Sequence, residues 1–555
     1  MKKTFSIILI CCNIAGFISC RSNFLEEEPL DFLSTGNGYN SYSDFNSAVN
    51  DLYRQVRLEF YTRDETYPFH YISGCDFLYD GEPGSARFTP MASAISPVSS
   101  IMNNHWINLY KIVSSSNSII DLAPASAMTE EQRKIVVAEA KFFRAFAYRT
   151  LAYLYGGVPL NLEIVTTPKS DYTRASKIDV YNQCIKDLNE AIPNLKDIDG
   201  VSDGEINKLA AQHLLSEVYL AAGEFQKAVE AATSVIGNSK VHLMTNRFGG
   251  KANRTDGNVY WDLFQPGNQN RRAGNMEGLW VIQFETDVLG GSSSSTSRDG
   301  NYLLERQCTP YIGQIPNSTI TVNPFITPAD DLTGGRGIGW SIANTYFTDT
   351  IWKSDFSNDL RNSNLNFVRN IVSTNPKSPY FGKTISTQNP PPGITVPSRA
   401  FYAYQAKSTT PGDHPKNLFV AGSNLQLQTT AGGTYLDQYM FRLAETYLIR
   451  AEAYLGLKAN QEAAKDLNVV RGRSMASPIT ASQVTIDYIL DERLRELGVE
   501  EKRRLTLMRL GLLYERVKRL NPYYKDILPV HNLWPIPQNQ IDANIGAKME
   551  QNPGY

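Results

Sequence analysis

The chain has 555 residues, of which 20% are charged and 11% aromatic, with a formal net charge of −2. That length buries a sizeable core and suggests more than one domain-sized unit. The near-neutral balance supplies no broad basic field, so nucleic acid is not expected as a partner.

Met1, Lys2 and Lys3 followed by the apolar run 5–18 have the form of a secretory signal, too short for an ordinary membrane-spanning helix. Of the six cysteines, Cys11 and Cys12 leave with that segment and Cys20 follows its end. Cys75, Cys184 and Cys308 remain, an odd and scattered three with no disulfide framework. Cys184 shares a helical face with Val180, Leu188 and Ala191 and reads as core. After an extended stretch, Ser43 is expected to cap a helix over 44–60 with Phe45, Val49, Leu52, Tyr53 and Val56 on one face. Residues 61–97 show no helical period and are rich in Pro, Gly and aromatics. A loop this long has a function or a structure of its own.

Helices are expected at 98–122, 129–155 and 179–192. In the second, apolar residues from Ala138 to Tyr155 run almost all the way round, which marks a helix buried between others. Its alanines allow close approach while Phe142, Phe143, Phe146, Tyr148 and Tyr153 fill the grooves, and Gly156, Gly157 and Pro159 end it. Glu139 and Arg144 are expected to hold it to neighbouring helices. In 209–236, Tyr219, Gly223, Phe225 and Ala228 have the spacing of a tetratricopeptide hairpin. A weaker copy runs through Tyr454, Asn460 and Ala463, with Lys458 in place of the turn glycine. Such hairpins are stable only when stacked, so a mainly α scaffold follows. Residues 240–435 differ: Gly, Ser, Asn, Thr and Pro dominate, strand-like runs such as 279–285 are short, and four of the six tryptophans fall here. The C-terminal part returns to helix.

HExxH, CxxC and Walker A patterns are absent from the sequence, and the six histidines make no pair at metal spacing. No catalytic residue, metal ligand or cofactor is therefore expected. His213 reads as a core residue on a packed helix. Asp491, Glu492 and Glu496 stand beside Arg493, Arg495 and Arg503 and read as ion-pair support, while the basic run 502–519 reads as a solvated helix face. What remains is binding. Sugar rings stack their C–H faces on aromatic rings and take hydrogen bonds from Asn, Asp, Gln and Arg; peptides want apolar pockets and backbone contacts. Trp261, Trp280 and Trp352 are expected in the core. Trp340, in GGRGIGWSIANTY, lies in a glycine-rich segment ill suited to burying it and is a candidate for a glycan platform. Phe77 and Tyr79 beside Asp76 are candidates of equal standing, with Asn37, Tyr39 and Arg336 in support.

Several stretches resemble the SusD/RagB-like outer-membrane lipoproteins, the nutrient-binding partners of SusC-like transporters. They are AEAKFFRAFAYRTLAYLYGGVPL from Ala138, VYWDLFQPGNQN from Val259, LWVIQFE from Leu279, and Asp359-Leu360-Arg361. Near the end come RLAE through AEA at 442–453, LNVVR at 467–471, and the Glu492, Arg493, Glu496, Glu500, Arg503 pattern. In that pattern Glu501 stands where the family has glycine and Thr506 where it has aspartate. LWPIP at 533–537 and the terminal QNPGY complete the set. The run Phe17-Ile18-Ser19-Cys20 resembles a bacterial lipobox, although Phe17 and Ile18 depart from its strictest form and leave ordinary signal cleavage as the alternative. The acidic tract Glu26–Glu28 resembles surface-export signals, or is a plain acidic linker.

The resemblance implies a signal peptide over 1–19 and a linker over 20–42 lipidated at Cys20. It further implies a tetratricopeptide-like part over 43–239, a loop-rich ligand-binding subdomain over 240–435 and a C-terminal helical part over 436–555. By that resemblance the protein is not an enzyme. It is a lipid-anchored outer-membrane protein facing the cell exterior that captures an oligo- or polysaccharide for a SusC-like TonB-dependent transporter. A RagB-like peptide binder and, further off, a secreted glycosidase with a carboxylate pair in the loop cleft are the alternatives.

Overall fold

The structure, a computed structural model, describes residues 38–296 and 300–555. Eleven helices of seven residues or more build its frame among these residues. The first six are α1 (Tyr42–Arg57), α2 (Ser100–Leu122), α3 (Glu130–Tyr155), α4 (Lys177–Ala191), α5 (Lys208–Ala221) and α6 (Phe225–Ile236). The last five are α7 (Leu443–Gly456), α8 (Asn460–Arg473), α9 (Ile486–Glu496), α10 (Arg503–Arg509) and α11 (Leu513–Leu520). Strands are short and paired two by two. Those that matter below are β1 (Leu78–Asp80), β2 (Gly278–Ile282), β3 (Ser341–Ala343) and β4 (Gln438–Arg442). The protein is mainly α, a tetratricopeptide-like scaffold carrying loops.

Helix boundaries follow the caps. The first helix starts two residues ahead of the expected Ser43, because Ser41 accepts the Asp44 N–H while the Asp44 carboxylate accepts the Ser41 N–H. Thr129 and Gln132 open α3 with the same reciprocal arrangement. Every residue of α3 from Phe142 to Tyr155 is buried. It packs between α2 and α4, with α1 and α10 against it as well. Phe142 and Phe146 meet Trp280 of β2 edge-on at 5.4 and 5.5 Å, and Trp280 meets Phe441 of β4 at 5.5 Å. The antiparallel β2–β4 pair thus clasps both ends of the loop-rich segment onto the helical spine.

Arg144 holds α3 to α4 by a two-pronged bond to Asp187 at 2.9 and 2.7 Å. Glu139 does not behave as expected: burial, reinforced by Glu205, raises its carboxyl to about 7, and Lys196 only partly offsets this. An unfolded glutamate ionises near 4.5, so the native state holds its proton more tightly. Stability attributable to this residue is therefore highest below that value and falls as pH rises towards 7. Glu139→Gln is expected to raise the melting temperature at pH 8 and leave it unchanged at pH 4; equal shifts at both would refute the assignment.

The two hairpins stack as the repeat pattern requires. Leu220, Ala228 and Val229 of α5–α6 share a cluster with Ile449 and Ala453 of α7. Gly223 turns the first hairpin at φ +77° and Lys458 takes the same left-handed region at +60°, so the degenerate copy keeps the turn at a steric cost of about 1 kcal/mol. Cys75, Cys184 and Cys308 are free and buried, and His213 is buried with Nδ1 2.8 Å from the Thr446 hydroxyl.

The basic run 502–519 departs from the solvated face expected of it. Arg503, Arg504 and Arg516 are buried, and only part of the run, Arg519 among it, lies in solvent. Arg504 donates to the His70 and Ser73 carbonyls at 2.7 and 2.5 Å, while Arg503 and Arg516 belong to an interior set of ion pairs, others of which join the loop segment to α9. Arg361 contacts Asp359, Glu492 and Glu496 at 2.7, 2.7 and 3.0 Å. Arg442 reaches Glu277, Glu496 and Glu500 at 2.8, 2.5 and 2.8 Å, and Arg473 closes on Glu277 and Glu496. An arginine whose fork meets carboxylates on several sides is buried at a tolerable cost, and hydropathy patterns do not distinguish it from a solvated one.

Candidate functional site

Strands β1 and β3 pair antiparallel, with Tyr79 opposite Ile342 and Asp80 opposite Ser341. The Gly81 N–H continues the ladder to the Trp340 carbonyl at 2.9 Å. This ribbon joins the aromatic stretch after residue 61 to the glycine-rich stretch around Trp340, more than two hundred and fifty residues apart in sequence. Gly81 permits the approach, because a Cβ there would lie 2.0 Å from the Gly339 carbonyl.

Trp340 is half-buried, with its surroundings fixed. Its indole N–H donates to the exposed Glu82 carboxylate at 2.7 Å, and the same carboxylate pairs with Arg399 at 3.1 Å. The Trp340 N–H, then Arg399, hold the Glu82 carboxyl below its ordinary range. The guanidinium groups of Arg87 and Arg306 lie 5.4 and 5.6 Å from the Trp340 ring centre. Arg87 is itself held by Asp80 at 2.8 Å. Beside this group the half-buried Tyr311 ring is flanked by Arg336 at 5.2 Å and Arg399 at 5.4 Å.

The segment that carries Trp340 is anchored from beneath. The Arg336 N–H donates to Glu305 at 2.7 Å, and the other Glu305 oxygen lies 2.6 Å from the Thr409 hydroxyl and 2.8 Å from His414 Nε2. His414 Nδ1 faces Asp331 at 2.7 Å. Burial would lower the imidazole, but Glu305 and Asp331 outweigh it and raise it to about 10, so the ring is a cation with both N–H groups engaged.

Of the residues expected at the site, Trp340 and Arg336 fall in one neighbourhood and Tyr79 lies on the same ribbon. Tyr79 is only 8% exposed and stacks face to face on Tyr523 at 3.6 Å, and it is Tyr523, at 51%, that faces solvent. Asp76 and Phe77 are corrections. Asp76 is fully buried between Arg503 at 2.7 Å and Arg516 at 3.0 Å. Burial alone would raise its carboxyl, yet the two guanidinium groups bring it down to about 2. Phe77 packs edge-on against Phe347 in the core. Both hold β1 in place and reach no ligand. Tyr39 packs on Phe45 at the start of α1 and is not among the groups around Trp340. Asn37 and Cys20 lie outside the described residues. Trp280 and Trp352 are buried as expected, but Trp261 is half-buried under Arg247, Lys251 and Arg254. Sequence reading missed Glu82, Arg87, Tyr311, Arg399 and Tyr523, none of which carries a local signal.

Asp491, Glu492 and Glu496, read from the sequence as ion-pair support, are each paired with an arginine. Burial would raise Glu492, but Arg361, Arg495 and Arg471 bring it to about 2, so it has no proton to donate at neutral pH. Two concavities stand apart from Trp340. One is a cleft of about 400 Å³ lined by Trp106, Tyr110, Asn161, Tyr172 and Asn544; the other is a polar groove of about 630 Å³ with Asp199, Asp203 and Arg271 along it.

The sequence profile of the SusD family matches residues 351–555, and a second, described as starch-binding associating with outer membrane, matches 85–220. Together they cover more than half of the chain. The chain belongs to the SusD/RagB-like family. Among its SusD-like relatives, SusD-like protein P25 of Formosa agariphila is 24% identical over 98% of this chain and 97% of its own length. The starch-binding protein SusD of Bacteroides thetaiotaomicron is 24% identical over 84% of this chain and 81% of its own. A solved laminarin-binding SusD-like protein superposes with a TM-score of 0.67 at 21% identity, covering 93% of this chain and all (100%) of that one. A SusD homolog of Bacteroides thetaiotaomicron superposes with a TM-score of 0.66 at 19% identity, covering 94% and 98%. The SusD fold therefore extends over nearly the whole chain, the loop-rich segment included.

Proposed function

We propose that this SusD-like protein binds an oligo- or polysaccharide at the face formed by Trp340, Tyr311 and the 80–87 loop, and makes or breaks no bond in it. The observation that carries the reading is Trp340: a partly exposed indole, fixed by its own N–H to Glu82, with the guanidinium groups of Arg87 and Arg306 over its ring. A ring held this way offers a flat surface for sugar C–H groups at little entropic cost, while Glu82 and Arg399 reach hydroxyls. Starch binding and laminarin binding in the names of two SusD-like relatives support the same ligand class. The captured glycan is passed to a SusC-like TonB-dependent transporter, and lipid on Cys20 holds the protein at the outer membrane facing the exterior. Several acyl chains anchor firmly, at about 0.8 kcal/mol per buried CH₂.

Affinity electrophoresis of the purified chain through gels containing different polysaccharides tests the binding. Retardation by at least one, with no release of sugar products, is the expected result; retardation by none together with retention on peptide columns would replace the reading with a peptide binder. Cys20→Ala is expected to move the protein out of the membrane fraction of cells lacking the transporter, and continued membrane retention there would contradict the anchor.

A further inference from the structure

Four guanidinium groups, those of Arg87, Arg306, Arg336 and Arg399, surround the Trp340 and Tyr311 rings. Three have carboxylate partners: Arg87 with Asp80 at 2.8 Å, Arg306 with Glu65 at 3.5 Å, and Arg399 with Glu82 at 3.1 Å. Arg336 has no acidic side chain within ion-pair distance among the described residues. Its Nη1 donates to the Gly337 carbonyl at 3.2 Å, and its buried Nε has no partner. Of the four guanidinium groups, only that of Arg336 is therefore left without a carboxylate of its own; the Glu305, His414 and Asp331 set under its backbone carries one net negative charge but does not pair with the guanidinium. Trp261 offers an internal comparison. It has three cations over its ring, but Arg247, Lys251 and Arg254 are each paired, with Asp262, Asp413 and Asp256, and none is left without a carboxylate.

Arg336 is also held in place. Its backbone N–H is fixed to Glu305, itself locked by the buried His414, and Gly334 and Gly335 before it take left-handed φ values of +96° and +66°. A Cβ at Gly335 would run into the Glu305 carboxylate at 2.2 Å, so the turn presents Arg336 in one backbone setting. A pre-positioned guanidinium with unused donors, stacked on a tyrosine, is suited to the planar fork of a carboxylate or the oxygens of a sulfate ester.

We infer that the glycan bound at this face is anionic, a saccharide bearing uronate or sulfate groups, with Arg336 as the residue that pairs with its charge. The inference rests on the glycan-binding reading of the same site and names its ligand class. The test is titration calorimetry of the full-length mature chain, in 50 mM and 500 mM NaCl, with oligosaccharides of polygalacturonate, of a sulfated galactan, and of the neutral glucans laminarin and amylose. At the lower salt one of the two anionic series is expected to bind at least tenfold more tightly than either glucan and to weaken at the higher salt. Which of the two wins distinguishes carboxylate from sulfate. Arg336→Gln, at a half-exposed position, is expected to weaken anionic binding about tenfold or more and glucan binding less than twofold. Arg336→Lys falls between, and Arg272→Gln, an exposed control, changes neither. Glucans bound as well as or better than both anionic series overturn the inference and leave the glycan-binding reading standing. Binding of none of the four overturns that reading itself. Anionic binding indifferent to Arg336→Gln, in a variant with wild-type circular dichroism, overturns the assignment of Arg336.

Discussion

Glu496→Ala is expected to cost about 3–5 kcal/mol of stability, the largest effect of any single substitution considered for this protein. The carboxylate has no exposure to water and is the shared partner of Arg361, Arg442 and Arg473. Burial would raise its pKa, but those three cations hold it far below the ordinary carboxylate range. Truncation leaves charges that came from the loop segment and from α8 facing one another in a dry interior, and the loop segment loses a tie to the C-terminal helices. Glu130→Ala is the matched control: its pair with Lys134 is solvent-exposed on the first turn of α3 and contributes little. Guanidinium unfolding of the two variants side by side measures the contrast. Equal losses would mean that the interior network is not what holds the segments together.

Trp340→Ala is expected to weaken glycan binding about 30-fold or more, corresponding to roughly 2 kcal/mol for a well-positioned aromatic anchor. The melting temperature should fall less than for a core tryptophan such as Trp280, because the Trp340 ring is only partly buried. Trp340→Phe keeps a flat ring but loses the N–H that holds Glu82, so it should fall between wild type and Ala. If Trp340→Ala binds as wild type does, the ring is ornamental and the face is misassigned. A loss of binding accompanied by loss of fold would be uninformative alone, and the Phe variant, conservative in volume, separates the two.

Helix α3 and the two hairpins were legible in the sequence because a 3.6-residue period with alanines at fixed spacing leaves few other solutions. The arginine interior was not. Arg503 and Arg516 look like any basic helix face until Asp76, more than four hundred residues earlier, is brought between them by tertiary contacts. The same contact explains why Asp76 and Phe77, an acid beside aromatics in a loop, were misread as ligand-facing. Trp340 ranks in the sequence level with Phe77 and Tyr79, on the argument that glycines around an indole are ill suited to burying it. Its companions carry no such argument: Glu82 arrives through the register of a three-residue ribbon, Tyr311 and Arg399 through a single backbone hydrogen bond from the Tyr311 N–H to the Arg399 carbonyl. No local spacing encodes either contact. Tyr523 reaches the surface only because Asn521, buried beside it, donates to the Cys75 and Leu78 carbonyls and pins the turn against β1.

The most direct test of the central claim is a crystal structure of the protein with an oligosaccharide taken from a polysaccharide that retards it. The account predicts a sugar ring lying against Trp340 with a hydroxyl or acidic group within hydrogen-bonding distance of Glu82, Arg336 or Arg399. A saccharide seated instead in the cleft between Trp106 and Tyr172, with the Trp340 face empty, would contradict it.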